Sequence, residues 1–190
     1  MKIDLNLQEG VSGDWSVEKF SISEQEAKSF NLYEALHGRR FISSGTYWRL
    51  KCQNEVVMSN TPAEITEHEN FINYAKGNIL IAGLGLGMVI KALLDKPDVT
   101  HITVVEKSAD VIKLIAPFYS SDKVTIVHED IFHYRPQCIF DYAWFDIWTY
   151  ISADNYTDMK RLNRKFAKFV TKIGHWCFME CKLKFLNNAI

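Results

Sequence analysis

One stretch of this chain restricts its fold more than any other. An apolar run over residues 78–82 meets Gly83-Leu84-Gly85-Leu86-Gly87, and an apolar-periodic run over residues 88–94 follows. That order predicts a strand, a tight glycine-rich turn and a helix whose first backbone N–H groups face the turn. Glycines there allow positive φ and a close approach of backbone to a ligand. Downstream the alternation continues, with strands expected over residues 101–106, 123–128 and 140–146. Ser108 caps a helix over residues 109–116 that Pro117 stops. Strands alternating with helices indicate a parallel sheet with βαβ crossovers.

Upstream, Thr61-Pro62-Ala63-Glu64 predicts a helix start with a capping box and Pro at the first position; the helix runs to Ala75 and ends at Gly77. Its Ile65, His68, Ile72 and Ala75 share one face. Residues 1–60 are expected to form a small β-rich appendage and residues 61–190 a Rossmann-like cofactor-binding domain. In the appendage, strands are expected over residues 15–22 and 55–59. Ser23 and Glu26 form a capping box for a helix stopping at Gly38, and a hairpin turns at Ser43-Ser44-Gly45 between residues 39–42 and 46–51. Beyond Trp148 a basic amphipathic helix is expected over residues 154–170. Residues 176–185 are open between strand and helix. The residues after Asp146 are fewer than a further three strands with their helices need, so the sheet is expected to be shortened at its C-terminal side.

The chemistry-bearing acids follow the strands. Glu106 ends the second strand about 20 residues beyond the loop, where doubly wound folds place an acid for ribose hydroxyls. A carboxylate offers two acceptor oxygens to a vicinal diol, and replacing it is expected to cost affinity and spare the fold. Asp130 follows the third strand, placed to accept from an adenine amino group, with the N–H of Ile131 available to a ring nitrogen. Asp146 ends the fourth strand, followed by Trp148 and Tyr150, which either wall an acceptor pocket or fill the core.

These motifs resemble the class I S-adenosylmethionine-dependent methyltransferases, and within them the spermidine-synthase-like branch. NILIAGLGLGMVIKALLDKP is similar to its first motif, VVEKSADVI to its ribose segment, VTIVHEDIF to its adenine segment and FDYAWFDIW to its fourth-strand motif; the N-terminal β appendage and the helix TPAEITEHENFINYA match in order as well, which implies that they flank the acceptor site. The resemblance implies S-adenosyl-L-methionine as cofactor. It implies Gly83, Gly85, Gly87, Glu106, Lys107, Asp130 and Ile131 as its contacts and Asp146 beside the transfer centre, with His68, Trp148 and Tyr150 on the acceptor side. Two departures point away from polyamine synthesis. Leu86 stands where aminopropyltransferases carry an acid, and Asp146 is followed by Ile147, Trp148 and Thr149 rather than an Asp-Ser-Ser-Asp-type motif.

The expected activity is methyl transfer to an unidentified acceptor. The alternatives are a non-catalytic nucleotide-binding or interaction protein and an aminopropyltransferase. A formal net charge of -1 offers no field for nucleic acid or an anionic membrane. No run approaches the ~18 apolar residues of a membrane span, and the N-terminus lacks a signal-peptide core. The reading is cytoplasmic, with a small-molecule substrate, no metal and a homodimer left open. Cys52, Cys138, Cys177 and Cys181 are expected as reduced thiols, and the basic residues of the 154–170 helix as a solvated face.

Overall fold

A computed structural model describes residues 2–37 and 40–188 of the chain. Two sheets organise it. The first is antiparallel, in the order β1 (Gly10–Ser12), β2 (Trp15–Ile22), β3 (Gly45–Cys52), β4 (Glu55–Ser59), with helix α1 (Glu24–His37) inserted between β2 and β3. Glu26 closes the expected capping box on α1: its carboxylate accepts Ser23 N–H at 2.7 Å, and Ser23 Oγ accepts Glu26 N–H at 3.2 Å. The helix stop expected at Gly38, and Arg39 beside it, lie outside the described residues.

The hairpin expected at Ser43-Ser44-Gly45 does not form. Ile42 gives both backbone groups to Asn31 on α1, its N–H to Oδ1 at 2.9 Å and its carbonyl to Nδ2 at 2.8 Å. A side-chain amide thus stands in for a strand partner. The chain turns instead between β3 and β4, where Gln53 adopts φ 56°.

The second sheet is parallel, in the order β7-β6-β5-β8-β9, from β5 (Gly77–Ala82), β6 (Val99–Glu106), β7 (Val124–His128), β8 (Phe140–Phe145) and β9 (Val170–His175). Alternate residues of its strands face opposite sides. Ile79, Ile81, Ile102, Val104 and Trp144 join a cluster with α2 (Pro62–Tyr74), α3 (Met88–Leu94), α4 (Ala109–Ile115) and Val17, Trp48 and Leu50 of the antiparallel sheet. Leu80, Ala82, Val105, Ala143 and Phe145 pack with Leu162 and Phe166 of α5 (Ala153–Phe166). Strand order reverses at β5, so the crevice lies at the carboxyl ends of β5 and its neighbours. The fold is therefore α/β and Rossmann-like, with an antiparallel N-terminal sheet.

The parallel sheet is shortened at its C-terminal side, as expected, yet it does not end with its fourth strand. A fifth strand, β9, pairs with β8 from Phe140↔Val170 to Phe145↔His175, and of the residues left open between strand and helix those from Phe178 on belong to helix α6 (Phe178–Asn187). The expected 154–170 helix ends at Phe166, which frees Val170 to start β9. Lys172, Gly174 and His175 dilute the β signal of this strand. Gly174 is small for a tertiary reason, because a Cβ there would lie 2.9 Å from the ring of Trp144.

The capping box expected at Thr61 and Glu64 also fails. Thr61 makes no side-chain cap bond, and the Glu64 carboxylate instead accepts Ser59 N–H and Ser59 Oγ–H, each at 2.7 Å. It ties the end of β4 to the first turn of α2. At the other end Lys96 caps α2: its ammonium donates to the carbonyls of Ile72, Asn73 and Ala75 at 2.7, 3.1 and 2.6 Å. A cation here satisfies orphan carbonyls and opposes the helix dipole. Lys96→Met is expected to destabilise the chain by about 1–2 kcal/mol, read as a lower urea midpoint with an unchanged slope. A midpoint equal to wild type would show the cap to be energetically neutral.

Candidate functional site

Gly83, Gly85 and Gly87 follow β5 with φ of 95°, 51° and 73°, the left-handed region that disfavours side chains. Each has a different neighbour. A Cβ on Gly83 would lie 2.1 Å from the carbonyl oxygen of Asp146, because the loop crosses the end of β8. On Gly85 it would meet the Met58 sulfur at 2.5 Å, and on Gly87 the ring of Tyr119 at 2.2 Å. Tyr119 Oη donates to Leu86 O at 2.7 Å, and Leu86 is fully buried in the core. Its side chain does not face the cavity, so the departure at this position amounts to a missing acid rather than an apolar wall.

Glu106 ends β6 beneath this loop and is 8% exposed. One carboxylate oxygen accepts Leu84 N–H at 2.8 Å and the other accepts Ser108 N–H at 2.7 Å. The side chain therefore holds the glycine loop and the start of α4, so its removal is expected to lower stability, where the sequence reading expected no such cost. Each oxygen keeps a second lone pair. After β7, Asp130 Oδ1 accepts Phe132 N–H at 2.7 Å, and the Asp130 carbonyl accepts N–H groups of His133 and Tyr134 at 2.8 and 2.9 Å. In a planar trans peptide the Ile131 N–H points opposite to that carbonyl.

A cavity of about 570 Å³ gathers these groups. Gly83, Gly85, Glu106, Lys107, Asp130, Ile131, Asp146, Trp148 and Tyr150 all line it. Trp148 and Tyr150 thus stand in the cavity wall. Gly87 and His68 do not line it. Gly87 packs under Tyr119, and His68 lies behind Asp146, its Nε2 3.8 Å from Asp146 Oδ2. The resemblance implied that the N-terminal appendage flanks the acceptor side, but sequence reasoning named none of the residues that build this wall, Trp15, Leu50, Cys52, Gln53 and residues 55–58 of the antiparallel sheet, nor Glu129. A second chamber of about 20 Å³, room for one water, lies under the loop between Met58, Trp144 and Asp146.

Asp146 is the electrostatic centre of the site. Burial, with the charges of Glu64 and Glu67, pushes its carboxyl up to about 8. Burial pushes His68 down to about 4, so it does not compensate an ionised Asp146 near neutrality. The imidazole packs edge-on to Trp144 with centroids 5.7 Å apart, and its Nδ1 has no partner among the described residues. Among the described residues no group of three or more His, Cys, Asp or Glu side chains is arranged around a metal site, and no helix is long and apolar enough to cross a membrane. All four cysteines are free thiols.

No protein-family model matches the chain, and no curated protein does. Solved structures with a similar arrangement include the DhpI complex with S-adenosylhomocysteine, at 17% identity over 58% of this chain and 54% of that one, TM-score 0.47. Another is the N-methyltransferase NodS from Bradyrhizobium japonicum WM9 in complex with S-adenosyl-l-homocysteine, at 18% identity over 57% of each chain, TM-score 0.45. The mitomycin 7-O-methyltransferase MmcR matches at 20% identity over 56% of this chain and 32% of its own, TM-score 0.43. The similar region spans little more than half of the first two of these proteins.

Two outcomes follow from the geometry. Gly83→Ala meets both a left-handed φ and an immovable backbone oxygen, and is expected to cost at least about 3 kcal/mol. Gly85→Ala, facing a flexible thioether, is expected to cost about 1–2 kcal/mol. Thermal denaturation of the pair checks this, and equal losses would contradict it. Asp146 gives a pH signature. Its folded pKa of about 8 exceeds the ordinary 3.8, so the unfolded chain releases a proton that the folded chain keeps. Stability from this group falls as pH rises between those values and levels off above about 8. His68 acts in the opposite sense between about 4 and 6.5. Asp146→Asn is expected to abolish the decline at the upper end of the range, so its urea midpoint gains on wild type from about pH 6.5 to about pH 8.5. Parallel profiles would mean that Asp146 ionises as an ordinary carboxyl.

Proposed function

We propose that the cavity binds S-adenosylmethionine and that the protein transfers its methyl group to a small-molecule acceptor. The observation that carries this reading is the convergence of the glycine loop, Glu106, Asp130, Ile131 and Asp146 on one cavity at the carboxyl ends of β5, β6, β7 and β8. A volume of about 570 Å³ lies within the range of ligand pockets. The donors and acceptors suit the cofactor. The free lone pairs of Glu106 suit a ribose diol, Asp130 suits an exocyclic amine, and Ile131 N–H suits a ring nitrogen. When bound, the cofactor supplies an electrophilic methyl carbon on a sulfonium centre.

The protein's contribution is positioning and proton handling. In-line displacement gains chiefly from fixed geometry, which the loop and the strand ends provide. Asp146, with a pKa of about 8, sits close to the range in which a group both holds and accepts a proton. It is the residue placed to orient an acceptor hydroxyl or amine and take up its proton. Trp148 and Tyr150 wall that side. The antiparallel sheet against the cavity supports the finer placement in the spermidine-synthase-like branch.

Calorimetric titration with S-adenosylhomocysteine and S-adenosylmethionine tests the reading. Binding is expected with both. Glu106→Ala is expected to weaken it by on the order of 1.5–3 kcal/mol and to lower the melting temperature, since the loop loses its anchor. Absence of heat and of thermal shift at about millimolar ligand, where even about 4 kcal/mol of binding energy would register, removes the proposal.

A further inference from the structure

The geometry points to Lys165 as the residue that positions the Asp130 carboxylate for its ligand, through the peptide unit that lies between them. This inference rests on the reading of the cavity as a site for an adenosyl group.

Lys165 lies near the end of α5, on the opposite side of the sheet from the glycine loop's helix. Its ammonium donates to the carbonyl oxygens of Ile131 and Phe132 at 2.9 and 2.8 Å. The Ile131 carbonyl and the Phe132 N–H are the two ends of one peptide unit. That N–H is the donor to Asp130 Oδ1 at 2.7 Å. Because the unit is planar and trans, fixing the carbonyl end fixes the direction of the N–H end. A full charge on the carbonyl side also polarises the unit and strengthens the bond on the other side. The ammonium thus acts on the carboxylate without touching it.

The surroundings fit this arrangement. The segment is held again by Arg161, whose guanidinium lies 4.8 Å over the Phe132 ring. Burial lowers the pKa of Lys165, and the nearby carboxylates of Glu129 and Asp130 act against that, with Arg161 and Arg135 on the side of burial. Glu129, Asp130 and Ile131 line the cavity, and Lys165 and Phe132 do not. Lys165 is therefore a positioning residue, and its effect is expected in the choice of base rather than in contacts to the ligand.

A carboxylate held in place favours a 6-amino base, which donates to it, over a 6-oxo base, which repels it. The test compares calorimetric affinities for S-adenosylhomocysteine and its 6-oxo analogue, S-inosylhomocysteine. Wild type is expected to prefer the 6-amino ligand. Lys165→Met keeps the apolar stem and removes the donor, and is expected to reduce that preference by about tenfold, which corresponds to roughly 1.4 kcal/mol. Lys165→Gln keeps a donor for one carbonyl without the charge. It is expected to lose less, and it carries the test if the methionine variant does not fold. In an Asp130→Ala background, Lys165→Met is expected to change the preference no further.

A lower melting temperature with an unchanged preference overturns the inference and leaves Lys165 a structural tie. A further loss of preference in the Asp130→Ala background overturns it too. Equal wild-type binding of both bases overturns it while the cofactor reading stands. Wild type that binds neither ligand removes the cofactor reading, and this inference with it.

Discussion

A single carboxylate holds together the parts from which the cavity is made. Glu106 accepts the backbone N–H of Leu84 from the glycine loop and that of Ser108 from the cap of α4. Both bonds are charge-assisted and largely shielded from water, the condition under which such bonds are strongest. The loop after β5 and the turn after β6 are therefore locked to each other at the point where the strand order reverses. Gly83 completes the lock from the other side, since the loop passes over the Asp146 carbonyl with no space for a Cβ. Three strand ends are held in register by one acid and one missing side chain.

Around this centre the wall comes from distant parts of the chain. The hairpin of β3 and β4 reaches the loop through Met58, whose sulfur accepts the Leu86 N–H at 3.4 Å. Ser12 Oγ donates to Asp110 Oδ1 at 2.7 Å and fastens β1 to α4. From the other face of the sheet, α5 reaches under the Asp130 segment. The antiparallel sheet is therefore part of the site's enclosure, and its Val17, Trp48 and Leu50 belong to the same apolar cluster as the first face of the parallel sheet.

The enclosure sets the electrostatics. Asp146 sits among apolar groups and near two further acids, so its ionisation is opposed by lost hydration and by repulsion together. His68 would be the natural counter-charge, yet the same burial keeps it neutral. A neutral acid at the end of β8 can lie beside apolar and aromatic surface without the penalty of an unpaired charge. That condition also keeps it able to exchange a proton near neutral pH.

Much of this was legible in the sequence because it is local. Alternation placed β2, short apolar runs placed β5 and β8, the glycines marked a turn needing positive φ, and Ser108 and Ser23 marked helix starts through bonds that span three residues. The acids at the strand ends followed from the same order, and most of them do line one cavity. The failures share a different cause. Thr61 and Glu64 had the spacing of a capping box, but Ser59 arriving from β4 took the carboxylate. Residues 40–42 looked like a strand, but Asn31 took both backbone groups of Ile42 and Glu34 took the N–H of Arg40. β9 lacked an apolar pattern and exists because β8 offers it an edge and Trp144 needs a glycine opposite. The sequence by itself determined the order of elements and the residues at their ends, since those depend on neighbours within a turn or a strand. Only the tertiary structure decided what encloses the cavity, which bonds Glu106 makes and why Asp146 keeps its proton. Those depend on desolvation and on partners tens of residues away, which no local pattern encodes.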